Sequence, residues 1–304
     1  MDFVTVEIAD LYLSYFPDDS TLRHMLEDPR ARVVTEDDIR PKTIVPLDLE
    51  VLWQSPGQSC FNLLFTHSWR NDLDFVYLDI GANVGILTIA PGLFFKRCGR
   101  TNRILSFEPG RVFECLKRGV RLNGLEDLCS CYQLAAGDHT RRVAFHSLEG
   151  NSSIGSTIQI PGASGASVKV DSIECVRLDD FVREQGISSN LICKIDTEGA
   201  DLKVIEGMAE CIATRLVLMC FEFNPSLVDT YADPTDRLTD LYDQFLLLEK
   251  IETGFRPIPS GPSDVAAFVQ RIRSSPKAHT DIIALPKGLP RLRELEQKLF
   301  DASM

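Results

Sequence analysis

The chain has 304 residues, of which 44% are hydrophobic and 25% charged, enough for a sizeable core in one large domain or one domain with an extension. A net charge of −12 disfavours nucleic acid and anionic membrane as partners. Nine cysteines without a C-x-x-C pair read as buried reduced thiols rather than zinc ligands or a disulfide framework, which suits a cytoplasmic, reducing setting. Asp2, Glu7 and Asp10 stand where a signal peptide would be basic, and no apolar run is long enough to span a bilayer.

Residues 1–74 carry no nucleotide-type motif and read as a cap. Asp19-Ser20 is placed to cap a helix over 21–27, and 32–34 and 43–47 have the β-branched look of strands. Residues 61–69 are apolar enough for a packed helix. His24 and His67 read as surface or packing residues.

From Phe75 onward strands and helices alternate. The apolar run up to Ile80 contains Asp79, then turns through Gly81-Ala82-Asn83-Val84-Gly85, and the apolar spacing becomes helical over 85–96. Gly81 suits a sharp turn; Gly85 suits close approach of the helix or a ligand. A second strand, 103–107, ends in Glu108, 29 residues beyond Asp79. A helix over 112–123 stops at Gly124. The third strand, 130–135, leads to Asp138.

Residues 139–178 break the rhythm as a β insert. Strands are expected at 143–146, 157–160 and 168–178, with Gly/Ser-rich loops at 150–156 and 162–167. A short helix begins at Leu178, with Asp179 or Asp180 as its cap. Strand four, 191–195, ends in Asp196-Thr197-Glu198-Gly199, and a helix follows over 200–213. Strand five, 216–221, ends in Glu222-Phe223-Asn224. A helix over 235–248, strands near 250–253 and 281–285, and a charged C-terminal helix in 289–304 complete the chain.

The Asp-x-Gly-x-x-x-Gly turn departs from the G-x-G-x-x-G spacing of dinucleotide sites. An acid in that turn is a poor neighbour for a pyrophosphate, but a sulfonium cofactor with an amino-acid tail can use it. Asp79-Ile80-Gly81-Ala82-Asn83-Val84-Gly85 and Phe107-Glu108-Pro109 resemble the first two motifs of class I S-adenosylmethionine-dependent methyltransferases. Ligands of open α/β sheets bind beyond the carboxyl ends of the strands. Glu108 is placed to accept from both ribose hydroxyls, Asp79 and Asn83 flank the tail site, and Asp138 is on the adenine side. Gly81 and Gly85 complete this candidate cofactor set.

Lys194-Ile195-Asp196-Thr197-Glu198-Gly199-Ala200-Asp201, with Leu178-Asp179-Asp180-Phe181, Phe221-Glu222-Phe223-Asn224 and Asp281-Ile282-Ile283-Ala284-Leu285, resembles the FkbM-type methyltransferases over about residues 75–286. That resemblance implies an α/β fold with a Rossmann-like sheet, mostly parallel with an antiparallel last strand. It also implies S-adenosylmethionine as cofactor and O-methylation of a sugar or natural-product hydroxyl. The expected organisation is a cap (1–74), a methyltransferase domain (75–288) and a terminal helix. A hydroxyl is a poor nucleophile, so a base or metal must take its proton. Asp196, Glu198 and Glu222 are the candidate catalytic acids. Asp196, Glu222 and Asn224 could hold a magnesium-like ion, but a metal-free route is favoured, because the positive sulfonium can relieve the crowded acids. Rival readings are a nicotinamide-dependent oxidoreductase, which lacks its fingerprint here, and a non-catalytic binding module.

Overall fold

In the computed structural model the described residues are 3–8, 11–35, 37, 39, 74–148, 150–158, 168–224, 234–251, 254–274 and 280–285. The strand expected at 43–47 and the helices expected at 61–69 and in 289–304 lie outside them.

The chain begins with a hairpin the sequence patterning did not reveal: β1 (Val4–Ile8) against β2 (Leu11–Tyr15), with β3 (Arg32–Val34) on the other side of β1. Between them lies α1 (Ser20–Leu26), where Asp19 accepts from the Thr21 N–H at 3.0 Å as an N-cap. All five residues of β2 are buried, so no period-2 alternation marks it.

The α/β unit follows: β4 (Phe75–Ile80), α2 (Ile86–Arg97), β5 (Ile104–Phe107), α3 (Phe113–Leu122) and β6 (Cys129–Tyr132). The helix α3 buries Phe113, Leu116, Gly119 and Val120 on one face. Just beyond its end, Asn123 accepts from the Tyr12 N–H at 3.1 Å and donates to the Tyr12 carbonyl at 2.8 Å. One amide thus fastens the N-terminal hairpin to the sheet's helical layer.

A small second sheet, order β7-β10-β8-β9, comprises β7 (Ala135–Gly137), β8 (Arg141–Leu148), β9 (Asn151–Ser156) and β10 (Val168–Arg177). Here the expectation needs correcting. Residues 151–156, expected as a loop, form β9 against β8; residues 159–160 of the strand expected at 157–160, and the loop expected at 162–167, lie outside the described residues. Backbone pairing organises this Gly/Ser stretch where side-chain patterning offered no signal.

The sheet resumes with α4 (Leu178–Glu184), β11 (Asn190–Ile195), α5 (Asp201–Glu206), α6 (Ala209–Thr214) and β12 (Val217–Phe223). The single helix expected over 200–213 breaks at Gly207, where an added Cβ would lie 2.0 Å from the Gly137 carbonyl oxygen. Asp179 does not cap α4. Its carboxylate accepts from the Glu210 N–H (3.0 Å) and the Cys211 N–H (2.9 Å), capping α6 across 30 residues of sequence. The helix expected over 235–248 is α7 (Pro234–Leu241) followed by β13 (Gln244–Ile251), which pairs with β14 (Gly254–Ser260). Phe245-Leu246-Leu247 is buried on both faces of a sheet, so it lacks the one-sided spacing of either a surface helix or a surface strand. The chain closes with α8 (Pro262–Arg273), also unforeseen, and β15 (Thr280–Leu285).

The large sheet has the order β14-β13-β15-β12-β11-β4-β5-β6. Its five central strands, β12 to β6, are parallel, and the last strand, β15, inserts antiparallel between β12 and β13. This is the mostly parallel, Rossmann-like α/β sheet with an antiparallel last strand that the sequence led one to expect. Side chains alternate between two core layers: Phe75 and Tyr77 belong to the layer shared with α2, α3 and the N-terminal hairpin, while Val76, Leu78 and Ile80 belong to the layer shared with α4, α5 and α8. Eight of the nine cysteines are among the described residues, and all eight are free thiols. No helix among the described residues is long and apolar enough to cross a membrane.

Candidate active site

The carboxyl ends of β4, β5, β11 and β12 share one edge of the sheet. Gly81 has φ +78°, and a Cβ there would sit 1.8 Å from the Asp196 carbonyl oxygen. The turn after β4 therefore lies on the backbone at the end of β11, and only glycine fits. The Asp196 N–H donates to the Ile80 carbonyl at 3.0 Å, sealing the contact. Asn83 takes the left-handed region at φ +51°, which asparagine tolerates. Gly85, at φ +94°, starts α2; a Cβ there would meet Leu116 Cδ1 of α3 at 2.6 Å. Its role is packing, away from the cavity lining.

Asp79 is fully buried and lies beneath the turn. Its Oδ2 accepts from Thr88 Oγ1 at 2.6 Å, and Thr88 Oγ1 is 2.7 Å from Ser106 Oγ. Burial pushes the Asp79 carboxyl up, with Lys194 and Thr88 opposing. Glu108, 6% exposed, lines the cavity: Oε2 accepts from the Asn83 N–H at 2.9 Å and Oε1 from the Gly110 N–H at 2.7 Å. Burial raises its carboxyl too, opposed by those two N–H groups. Asp138 is outside the lining, facing His139 at 3.2 Å and Arg141 at 3.6 Å. The third strand's end contributes Gln133, Leu134 and Ala135 to the wall instead.

On the other side of the Gly81 turn, Asp196, Glu198 and Glu222 converge. Each offers a carboxylate oxygen, all within 4.8 Å of one another, a spacing that could hold a hard divalent cation. Glu198 thus joins Asp196 and Glu222 in a grouping of three acids. Glu198 takes the left-handed region at φ +53°, followed by Gly199 at +95°. Asp201 clamps that turn: Oδ1 accepts from the Thr197 N–H (3.2 Å) and Oδ2 from the Gly199 N–H (3.1 Å). Burial, then Asp196 and Asp201, push the Glu198 carboxyl up to about 8. Glu222 is pushed well upward by burial and by Asp196 and Glu198. Crowded carboxylates at low solvation hold protons.

Lys194, quoted in the sequence motif without a role, emerges as part of this site. It lies two residues before Asp196 on β11, hence on the same face, and that spacing was the available signal. Its Nζ donates to the Gly81 carbonyl at 2.8 Å and lies 3.6 Å from Asp79 and 3.5 Å from Asp196.

These elements border a cavity of about 1030 Å³, at the upper end of the range for small-molecule sites. Gly81, Asn83, Glu108, Asp196 and Glu198 all line it. The N-terminal segment supplies Tyr15, Asp18, Thr21, His24 and Met25, and the insert supplies Asn151 and Ser156. Arg111, three residues after Glu108 in the chain, pairs with Asp18 at 3.0 Å.

Residues 79–245 match the family described as the methyltransferase FkbM domain, more than half of the chain. A curated relative, methyltransferase sdnD of Sordaria araneosa, is 30% identical over 161 residues, covering 44% of this chain and 60% of the relative. The chain thus spans less than two thirds of that relative's length. A crystal structure of methyltransferase FkbM from Methylobacillus flagellatus KT aligns with a TM-score of 0.37 at 17% identity, over 69% of this chain and 43% of that one.

Proposed function

Because this chain belongs to the FkbM-domain methyltransferases, we propose that it moves a methyl group from S-adenosylmethionine to a hydroxyl of a sugar or small natural product. The observation that carries the reading is the shared cavity: the buried Glu108 carboxylate and the Gly81 turn border one part of it, and Asp196 and Glu198 another. The residues fit the donor. Each Glu108 oxygen accepts one backbone N–H and keeps a second lone pair for a ribose hydroxyl. The turn at Gly81 and Asn83 gives backbone access for the amino-acid tail. The cavity volume leaves room for a second, acceptor molecule.

When bound, S-adenosylmethionine supplies an electrophilic methyl on a sulfonium. The chain's part is to hold the acceptor oxygen in line and dry, so that proximity supplies much of the rate. Asp196 would take the proton that the acceptor hydroxyl loses. Glu198 and Glu222 hold protons and limit the local negative charge. The N-terminal segment and the insert form the acceptor side of the wall, and the acidic chain favours a small neutral acceptor over a nucleic acid or a membrane surface. The free cysteines favour the cytoplasm.

A second reading of the same cluster rests on the 4.8 Å grouping: Asp196, Glu198 and Glu222 hold a divalent cation that acidifies the hydroxyl. We favour the metal-free route. Asp196→Asn tests it, with turnover falling on the order of a hundredfold while donor affinity stays within about threefold. Full turnover in that variant removes Asp196 from the chemistry. Activity abolished by a chelator and restored by magnesium establishes the cation reading instead.

A further inference from the structure

We infer that Lys194 is a positioning residue that staples the donor turn to the acid turn, so that donor binding and proton removal share one buried cation. The inference rests on the reading of the Gly81 turn as part of the donor site. Three observations carry it. First, Lys194 Nζ donates to the Gly81 carbonyl at 2.8 Å, a direct bond to that turn. Second, the same ammonium lies 3.5 Å from Asp196 Oδ2 and 3.6 Å from Asp79 Oδ1, so it links a cavity carboxylate to one sealed beneath the turn. Third, Lys194 is only 8% exposed although it lines the cavity, which fixes its side chain.

A buried lysine at this depth is expected to lose its proton unless acids hold it. Here two acids flank it, Asp196 Oδ2 at 3.5 Å and Asp79 Oδ1 at 3.6 Å, and pair with the ammonium. The alternative is that Lys194 serves only to neutralise buried Asp79. The two roles separate once Asp79 carries no charge. Removing Lys194 then leaves no unpaired buried charge, yet still frees the Gly81 carbonyl and Asp196.

The experiment compares D79N with D79N/K194M. Folding is checked by circular dichroism. Affinity for S-adenosylhomocysteine, turnover at saturating substrates, and amide exchange at Ala82 and Asp196 are then measured. If Lys194 is the staple, the double variant loses at least tenfold in both affinity and turnover relative to D79N, and both amides exchange at least tenfold faster. If both variants agree within twofold in all three, Lys194 only neutralises Asp79 and the inference falls. If the wild type binds no S-adenosylhomocysteine, the donor reading fails, and the exchange comparison alone decides the staple. Should D79N/K194M not fold, D79N/K194Q is read the same way, and failure of both to fold assigns Lys194 to stability and overturns the inference.

Discussion

The Ser156 hydroxyl donates to the carbonyl oxygen of Thr197 at 3.2 Å, tying β9 of the insert to the acid turn between Asp196 and Glu198. Ser156 is 1% exposed, and its oxygen also accepts from the Ile158 N–H at 3.2 Å. The insert is thereby anchored at the sheet edge that carries the acid cluster. Ser156→Ala is expected to cost about 1 kcal/mol locally. Hydrogen exchange should show residues 151–156 opening faster, with a matching fall in turnover. Exchange identical to wild type would mean the anchor is idle. In the wild type, cofactor plus acceptor should slow exchange across 150–158, as closure over a substrate does.

Glu108→Ala should weaken S-adenosylmethionine binding by roughly 1.5–3 kcal/mol, the scale of hydrogen bonds to a charged group. The variant also releases the Asn83 and Gly110 N–H groups that the carboxylate now orders. Calorimetry giving the wild-type affinity would remove Glu108 from the donor site.

Glu198 gives the protein a pH signature. Its carboxyl is raised from an ordinary 4.5 to about 8 in the folded chain. Below the lower value both folded and unfolded chains carry the proton. Between the two values only the folded chain keeps it, so this contribution to stability is lost as pH rises through about 8. Glu198→Gln has no such group. Its stability relative to wild type should therefore increase from pH 5 to 8.5, by about 1–3 kcal/mol. Parallel stability curves for the two proteins would show that Glu198 is not held protonated.

Asp179→Ala should destabilise the fold by about 2–4 kcal/mol, since it orphans the Glu210 and Cys211 N–H groups and removes one carboxylate partner, 2.7 Å away, from the Arg177 guanidinium, which keeps Glu210 at 2.9 Å. Denaturant unfolding measures the loss. Donor affinity should hold in the folded fraction, because Asp179 lies outside the cavity lining.

The parallel core was legible because β4, β5, β11 and β12 are mostly apolar runs that end at or beside a glycine or an acid. The turn at Gly81 was legible for the same reason, since its left-handed backbone demands the residue the sequence displays. What was hidden depends on partners distant in the chain. Asp179 looks like the cap of its own helix but serves α6. Gly207 looks like a helix interior but touches Gly137. Phe245-Leu246-Leu247 is strand only because β15 lies beside it. At the site, Glu108 and the Asp196 cluster were visible as acids at strand ends, whereas Asp79 turned out to work beneath the turn and Asp138 away from the cavity. Lys194 and Ser156 gain meaning only through contacts 113 and 41 residues away in sequence.

On this reading the cavity beside Gly81 and Glu108 takes the adenosyl donor of a methyl transfer. Isothermal calorimetry of the purified chain with S-adenosylhomocysteine, with NADH as control, tests it most directly. The account predicts one molecule of S-adenosylhomocysteine bound per chain, a tenfold or greater loss of affinity in Glu108→Ala, and no heat from NADH. No binding of S-adenosylhomocysteine to the wild type, or tighter binding of NADH, would contradict it.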